Sequence, residues 1–419
     1  MKGKDKNDIH FRRYDHKKDS RTLLEVFKEV GWMERAGDRD TDEAMLSYLK
    51  TARSWVAETA GRAESLASTG PGEFRYLDET LRLCAVTAVI TSPVVRRMNC
   101  ATRVTAEAVA DAAEEGAQVA GLGVFEQGFY ERLGFGLGSY EHWLGFDPAS
   151  LNVAVPVRPA RRLTKMDWKA VHTCMLSRMR GHGSCNVFHP ELTRFEMAYD
   201  AKGFGLGYYE EGELTHHVWL SNQGGEHGPL RVNWAVFQTY AQFLELLSLL
   251  KSIGDQFHLV KMREPPGIQL QEYIRKPFKQ RRTTRHGGFE SGARAAAYWQ
   301  MRILDLKGCI EKTHLPGPSL SFNLELSDPI EGLLHQPRSW RGLGGSYRVS
   351  LGERSSIEAG KDYRLPTLQA QIGAFTRMWM GAGSASALSL TGALSATPEL
   401  IRSLDEKFRI PQPHTDWDF

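Results

Sequence analysis

Several things are scarce in this 419-residue chain, and each scarcity excludes a class of protein. No run approaches the ~18 consecutive apolar residues of a membrane-spanning helix, so no membrane span is expected. Neither sign of charge dominates: 53 basic residues stand against 50 acidic ones, leaving no global field to recruit nucleic acid. Cysteine is sparse. Cys84, Cys100, Cys174, Cys185 and Cys309 are odd in number and widely spaced, which suits reduced thiols in a cytoplasmic protein rather than a disulfide framework. The opening MKGKDKNDIHFRRYDHKKDSR lacks the apolar core of a signal peptide, which agrees with a cytoplasmic expectation. Paired Cys-x-x-Cys and His-Glu-x-x-His patterns are missing too. His216 and His217, and the group His182, Cys185 and His189, therefore read as ordinary or hydrogen-bonded side chains, and no metal is expected. The basic run Lys276–Arg285 (KPFKQRRTTR) reads as a solvated loop in an otherwise balanced chain.

What is present is an ordinary globular composition in a chain too long for one core, so two or three domains are expected. One stretch, Leu81 to Gly136, organises the rest. Its apolar run Leu83–Ile90 has the length of a buried strand and is stopped by Thr91, Ser92 and Pro93. Arg96, Arg97 and Asn99 follow, and then a helix over Ala101–Glu115 closed by Gly116. A second strand is expected over Val119–Phe125, then a turn at Gln127–Gly128 and the segment Phe129-Tyr130-Glu131-Arg132. The strand–helix–strand length of about 45 residues suits a parallel crossover. A helix N-terminus beside two arginines suits an anion such as pyrophosphate; a plain crossover with two solvated arginines is the alternative.

Ahead of this stretch the pattern gives a strand at Ile9–Arg13 and a helix capped by Asp19 or Ser20. A helix near Asp42–Ala52 follows, with strands at Trp55–Glu58 and Phe74–Tyr76 joined through a Gly70-Pro71-Gly72 turn. Behind it come the alternating segment Asn152–Pro156, a helix over Met166–Met179, and strands at Phe204–Tyr209, His216–Ser221 and Leu230–Val236. A helix over Thr239–Ile253 and a strand at Phe257–Val260 complete the middle third. The pentapeptide GFGLG occurs at 134–138 and again at 203–207, a coincidence of turn chemistry. After Gly288, YWQMRILDLKGCIE leads into a helix, then strands at Ser319–Leu326 and Ser346–Leu351 and helices over Leu365–Met378 and Pro398–Phe408. The ending Trp417-Asp418-Phe419 is apolar enough to dock.

The order strand, Pro93-x-x-Arg96-Arg97-x-x-x-Ala101, helix, strand, then Tyr130-Glu131-Arg132-Leu133-Gly134-Phe135 resembles the coenzyme motif of GNAT-type N-acetyltransferases. Arg96 and Ala101 match that motif; Asn99 stands where it has glycine, and Phe125 where a small polar residue is usual. The YWQMRILDLKGCIE segment, the turn Arg263-Glu264-Pro265-Pro266 and the acidic–aromatic ending are similar to the enhanced intracellular survival family. That resemblance implies a mixed α/β (α+β) chain with two tandem GNAT-like domains, at 1–146 and 147–297. A sterol-carrier-protein-like α+β domain at 298–419 would follow them.

The same resemblance implies an acetyl-coenzyme A-dependent N-acetyltransferase whose acceptor is a small-molecule or peptidyl primary amine, with no metal, in a trimeric or hexameric homo-oligomer. Val89, Ile90, Thr91, Arg96, Arg97, Met98, Asn99, Cys100, Ala101 and Phe125 would bind the coenzyme. Tyr130 would protonate the leaving thiolate, and the terminal carboxylate of Phe419 would take the amine proton. An amine attacks a thioester only when neutral, and the oxyanion then needs a fixed N–H, which the strand end at Val89–Thr91 offers. The second GNAT-like domain lacks the phosphate motif and is expected to shape the acceptor pocket. Two other readings remain: a degenerate scaffold, and a hydrophobic-ligand-binding protein acting through its C-terminal domain.

Overall fold

The computed structural model describes residues 8–34, 38–124, 126–222, 224–277 and 290–418. Among these, strands gather into three sheets of eight, seven and five, giving a mixed α/β chain. Contacts divide the chain into two units. One comprises 1–139, 182–189 and 298–419; the other comprises 140–181 and 190–297.

The first unit opens with β1 (His10–Arg13), α1 (His16–Glu29), α2 (Arg39–Thr51), β2 (Arg53–Thr59), β3 (Arg62–Tyr76) and β4 (Glu79–Thr91). It continues with α3 (Cys100–Glu114), β5 (Val119–Gly123), α4 (Gln127–Glu131) and β6 (Gly136–Leu137). Strands β1 to β4 are successive antiparallel neighbours, and β5 joins β4 in parallel, which makes α3 a crossover helix. Helix α1 starts before the expected cap: Asp15 accepts from the Lys17 and Lys18 amides. Asp19 is instead buried against Arg12, 2.7 Å away.

The expected Gly70-Pro71-Gly72 turn is not a turn, for it lies inside the 15-residue β3. Pro71 falls where the neighbour on one side changes from β2, last matched at Thr69, to the strand Cys185–Val187, first matched at Gly72. A missing N–H costs no ladder bond there. Gly72 is required because a Cβ would collide with the Asn186 carbonyl.

The second unit contains β7 (Glu141–Phe146), β8 (Arg161–Leu163), α5 (Trp168–Leu176), α6 (Pro190–Tyr199), β10 (Gly203–Glu210), β11 (Glu213–Asn222), β12 (Leu230–Val236), α7 (Tyr240–Ser252), β13 (Val260–Arg263) and β14 (Gly292–Ala296). Strand β9 (Cys185–Val187) lies between α5 and α6 in sequence but belongs to the first unit. The sheet order is β14-β7-β13-β12-β11-β10-β8, with β12 and β13 parallel. Helix α7 is their crossover, and Phe243, Leu246 and Leu250 pack with Val218, Leu220 and Val260. The strand expected at Phe257–Val260 begins only at Val260, and Asn152–Pro156 is irregular. Residues 278–289, most of the basic run, lie outside the described residues.

The remaining elements are β15 (Trp299–Ile303), α8 (Leu306–Glu311), β16 (Leu320–Ser327), β17 (Gly345–Leu351), β18 (Ser356–Ala359), β19 (Thr367–Gln371), α9 (Ile372–Trp379), α10 (Ala385–Ser389), β20 (Leu394–Ser395) and α11 (Pro398–Lys407). The last five strands form their own sheet, but β15 inserts between β5 and β6 of the first. The helix expected from Leu365 starts at Ile372. Thr367–Gln371 is a strand because it pairs with β16, a distant partner that overrides local pattern. The C-terminal tail docks through Trp417, while Asp418 is exposed. Trp417 is buried, the His414 amide donates to the His182 carbonyl at 2.9 Å, and the Cys185 amide donates to Asp416 Oδ1 at 3.1 Å. Among the described residues no helix is long and apolar enough to cross a membrane.

Candidate active site

Strand β4 runs to Thr91 but is matched to β5 only from Leu83 to Val86. Two features separate the strands beyond that point. Against β3, Thr69 pairs with Val86 and Ser68 with Ala88, so Thr87 is an extra residue in β4. Such a bulge bends its strand and raises the local twist. On the far side, all of β5 pairs with β15, Val119 opposite Ile303 through Gly123 opposite Trp299. The Val124 amide then donates to the Tyr298 carbonyl at 2.7 Å. Strand β5 follows β15 while β4 turns away.

Val89, Ile90 and Thr91 lie along the opened stretch. They pair with Ala67, Leu66 and Ser65 on one side, and among the described residues no strand is matched to them on the other. Successive residues of an antiparallel strand direct their amides to alternate sides, so part of this backbone faces the gap. Ser65 Oγ fixes the strand end by donating to the Ile90 carbonyl at 2.9 Å.

The connection to α3 leaves that helix open at its N-terminus. Ser92 Oγ accepts from the Val94 amide and starts a single turn at Pro93–Val95. Arg97 and Asn99 are then left-handed, at φ 63 and φ 59. Asn is among the non-glycine residues that enter this region with least cost, so the glycine missing from the motif has a substitute with the same backbone shape. Asn99 occupies the N-cap position, yet its side chain makes no capping hydrogen bond. The amides of its first turn have no carbonyl inside the helix to bond. Arg96, Arg97 and Met98 are exposed beside them, whereas Cys100 is buried. Burial also raises the Cys100 thiol above its ordinary pKa, keeping it neutral. Open amides, the positive end of the helix dipole and two forked cations make a cradle that fits a pyrophosphate.

The expected turn at Gln127–Gly128 is the first turn of α4. Tyr130, on that helix, is buried and meets Phe129 and Phe135 edge-on at 4.7 and 6.1 Å. Burial, and then the charge of Glu126, raise its phenol above the ordinary value and keep it protonated. Tyr130 packs in one apolar cluster with Val86, Val89 and Cys100. The structure therefore brings together the opened strand, the start of α3 and the tyrosine. Phe125 and Phe419 lie outside the described residues.

Three supporting features escaped the sequence. Thr87 is a bulge, and its hydroxyl meets the Tyr48 hydroxyl; no local signal marks it. Strand β15 could have been read from its aromatic and β-branched content. Arg302, buried with Asp328 at 2.6 Å, donates to the Leu133 carbonyl and so steadies the segment after Tyr130.

Residues 12–138, the span that holds these elements, match the family model described as acetyltransferase (GNAT) domain. The chain carries a GNAT domain and is by class an N-acetyltransferase. Its architecture is the eight-stranded sheet that holds the GNAT match, a second sheet of seven strands and a third of five. Solved structures share this fold over nearly the whole length. A probable N-acyltransferase of unknown function from Enterococcus faecalis superposes with a TM-score of 0.78 at 15% identity, covering 99% of this chain and 100% of that one. A GCN5-related N-acetyltransferase from Kribbella flavida gives 0.73 at 17%, covering 99% of each. Eis1 from Mycobacterium abscessus gives 0.73 at 17%, covering 98% of this chain and 100% of that one. No curated protein sequence matches the chain. Among the described residues no three side chains gather as metal ligands.

Proposed function

We propose that this protein transfers an acetyl group from acetyl-coenzyme A to a primary amine, on a small polyamine-like molecule or a lysine side chain. The observation that carries the reading is the opened edge of β4 leading into the uncapped, arginine-flanked start of α3. Bound acetyl-coenzyme A supplies an activated thioester. Arg96, Arg97 and the amides from Asn99 to Ala101 hold its pyrophosphate, and Met98 lies exposed beside them. The free backbone at Val89–Thr91 orients the pantetheine arm and offers an N–H to the developing oxyanion.

Tyr130, held neutral by burial, gives its proton to the departing thiolate. The carboxylate of Phe419 takes the acceptor's proton; what supports this is that Trp417 is buried and Asp416 accepts from the Cys185 amide of β9. The full-length likeness to Eis1 supports membership of the enhanced intracellular survival family. That membership would make 298–419 sterol-carrier-like and the assembly a cytoplasmic homo-oligomer.

The test is thiol release from acetyl-coenzyme A across a panel of amines, with the Tyr130→Phe variant alongside. Turnover should fall about 10²–10⁴-fold in the variant, with coenzyme affinity held. Release with no amine in the panel would overturn the reading, and a variant within twofold of wild type would remove Tyr130 from the reaction.

A further inference from the structure

Helix α3 carries three carboxylates, Glu107, Asp111 and Glu114, which helical spacing brings onto one stripe. The segment 334–340, from far along the chain in the same unit, lies against that stripe. Arg338 donates from Nε and Nη2 to Glu107 at 2.7 and 2.5 Å. Its Nη1 reaches Asp111 at 2.6 Å and Glu114 at 3.2 Å. The segment's backbone reinforces the fork. The His335 amide donates to Glu107 at 2.9 Å, and the Ser339 and Trp340 amides donate to Glu114 at 2.8 and 3.2 Å. The Arg338 and Glu107 side chains are only 5% and 1% exposed.

A planar fork shared by three anions has few alternative geometries. A helix is also stiff over this length, so a grip from Glu107 to Glu114 fixes the direction of the open amides at Asn99–Thr102. Charge acts the same way. Without the guanidinium, Glu107 and Glu114 would stand unneutralised behind the positive end of the helix, Asp111 keeping Arg13 at 3.1 Å, and the buried Glu107 would be little screened by salt.

We propose that Arg338 is a positioning residue for coenzyme binding, acting through α3, and that segment 334–340 is therefore coupled to the coenzyme. The proposal rests on the reading of the start of α3 as the pyrophosphate site. Coupling free energies are reciprocal: if the segment holds the helix for the coenzyme, the coenzyme must hold the segment.

Hydrogen–deuterium exchange of the full chain, with and without coenzyme A, reads the amides of His335, Gln336, Ser339 and Trp340. Saturating coenzyme A should slow them about tenfold. Arg338→Lys keeps the charge and loses the fork. Calorimetry should find its coenzyme A Kd raised about tenfold, with the kinetic loss falling on KM for acetyl-coenzyme A rather than on kcat. A merely structural arginine would lower the melting temperature without moving Kd. Wild-type protein that binds coenzyme A with these amides unchanged overturns the proposal, whether or not the lysine variant folds. An unchanged Kd in a folded lysine variant overturns it too. A wild-type chain that takes up no coenzyme A instead removes the reading of α3 on which this proposal stands, and the proposal with it.

Discussion

The two units each contain a parallel strand–helix–strand crossover, β4–α3–β5 in one and β12–α7–β13 in the other. Their helix starts are built in opposite ways. Between β4 and α3 lie eight residues, Ser92 to Asn99, with two left-handed backbones and two arginines, and the helix end stays uncapped. Between β12 and α7 lie only Phe237 to Thr239. There Thr239 and Gln242 form a reciprocal capping box, and Gln242 Oε1 also accepts from the Gln238 amide at 2.7 Å. One helix start is left without a cap from its N-cap side chain; the other is filled by its own side chains. Under the proposed function the crossover alone does not make a coenzyme site, and the connection decides.

Reversing the charge of the first connection should break this difference most. Arg96→Glu with Arg97→Glu sets like charge against phosphate and should raise the coenzyme A Kd about 100-fold, ~2.7 kcal/mol, as read by calorimetry. An unchanged Kd would remove the connection from the site.

Acid should separate the units next. His217, in β11 of the second unit, is fully buried; burial, and then the nearby His216, push its pKa down to about 3. Folded His217 thus stays neutral where the unfolded residue, near 6.5, takes a proton, so stability falls as pH drops from about 6.5 towards 3. Over the first 1.5 units that is about 2 kcal/mol. Denaturant melts at pH 7 and 5 should show the loss in wild type, and His217→Gln should blunt it. Equal acid losses in both proteins would assign it to other groups.

The smallest effect should come from the second connection. Thr239→Ala removes half of the capping box and should cost about 1 kcal/mol of stability, while the coenzyme A Kd stays at its wild-type value. A shift in that Kd would mean that the second helix start also takes part in binding.

The first crossover was legible because its signals are local: an apolar run of strand length, Pro93 after it, and Gly116 at the helix end. Val89, Ile90, Thr91, Arg96 to Ala101 and, on α4, Tyr130 became candidates through the resemblance to the GNAT motif, whose positions lie along this same stretch. What was not legible depends on partners remote in sequence. Strand β3 passes through Gly70-Pro71-Gly72 because its neighbour changes there. The pentapeptide GFGLG makes the point most directly. At 134–138 it leaves α4 through Gly134 at φ 80 and enters β6. At 203–207 it is no turn but part of β10, where a Cβ on Gly205 would press on Trp219 at 2.9 Å. Identical residues take two structures because their surroundings differ. The bulge at Thr87 and the fork of Arg338 are equally products of tertiary contact.

The insertion of β15 beside β5 has a consequence for synthesis on the ribosome. The first sheet cannot be completed when its own residues emerge. Val119–Gly123 is a short apolar strand whose outer edge, among the described residues, is closed by 299–303. At about 5–20 residues per second that edge waits on the order of ten seconds or more while the whole second unit is made. Unpaired strand edges invite pairing with other chains, so the nascent protein passes through an interval in which it needs shelter from its neighbours. A chain cut off after the second unit would carry that open edge permanently.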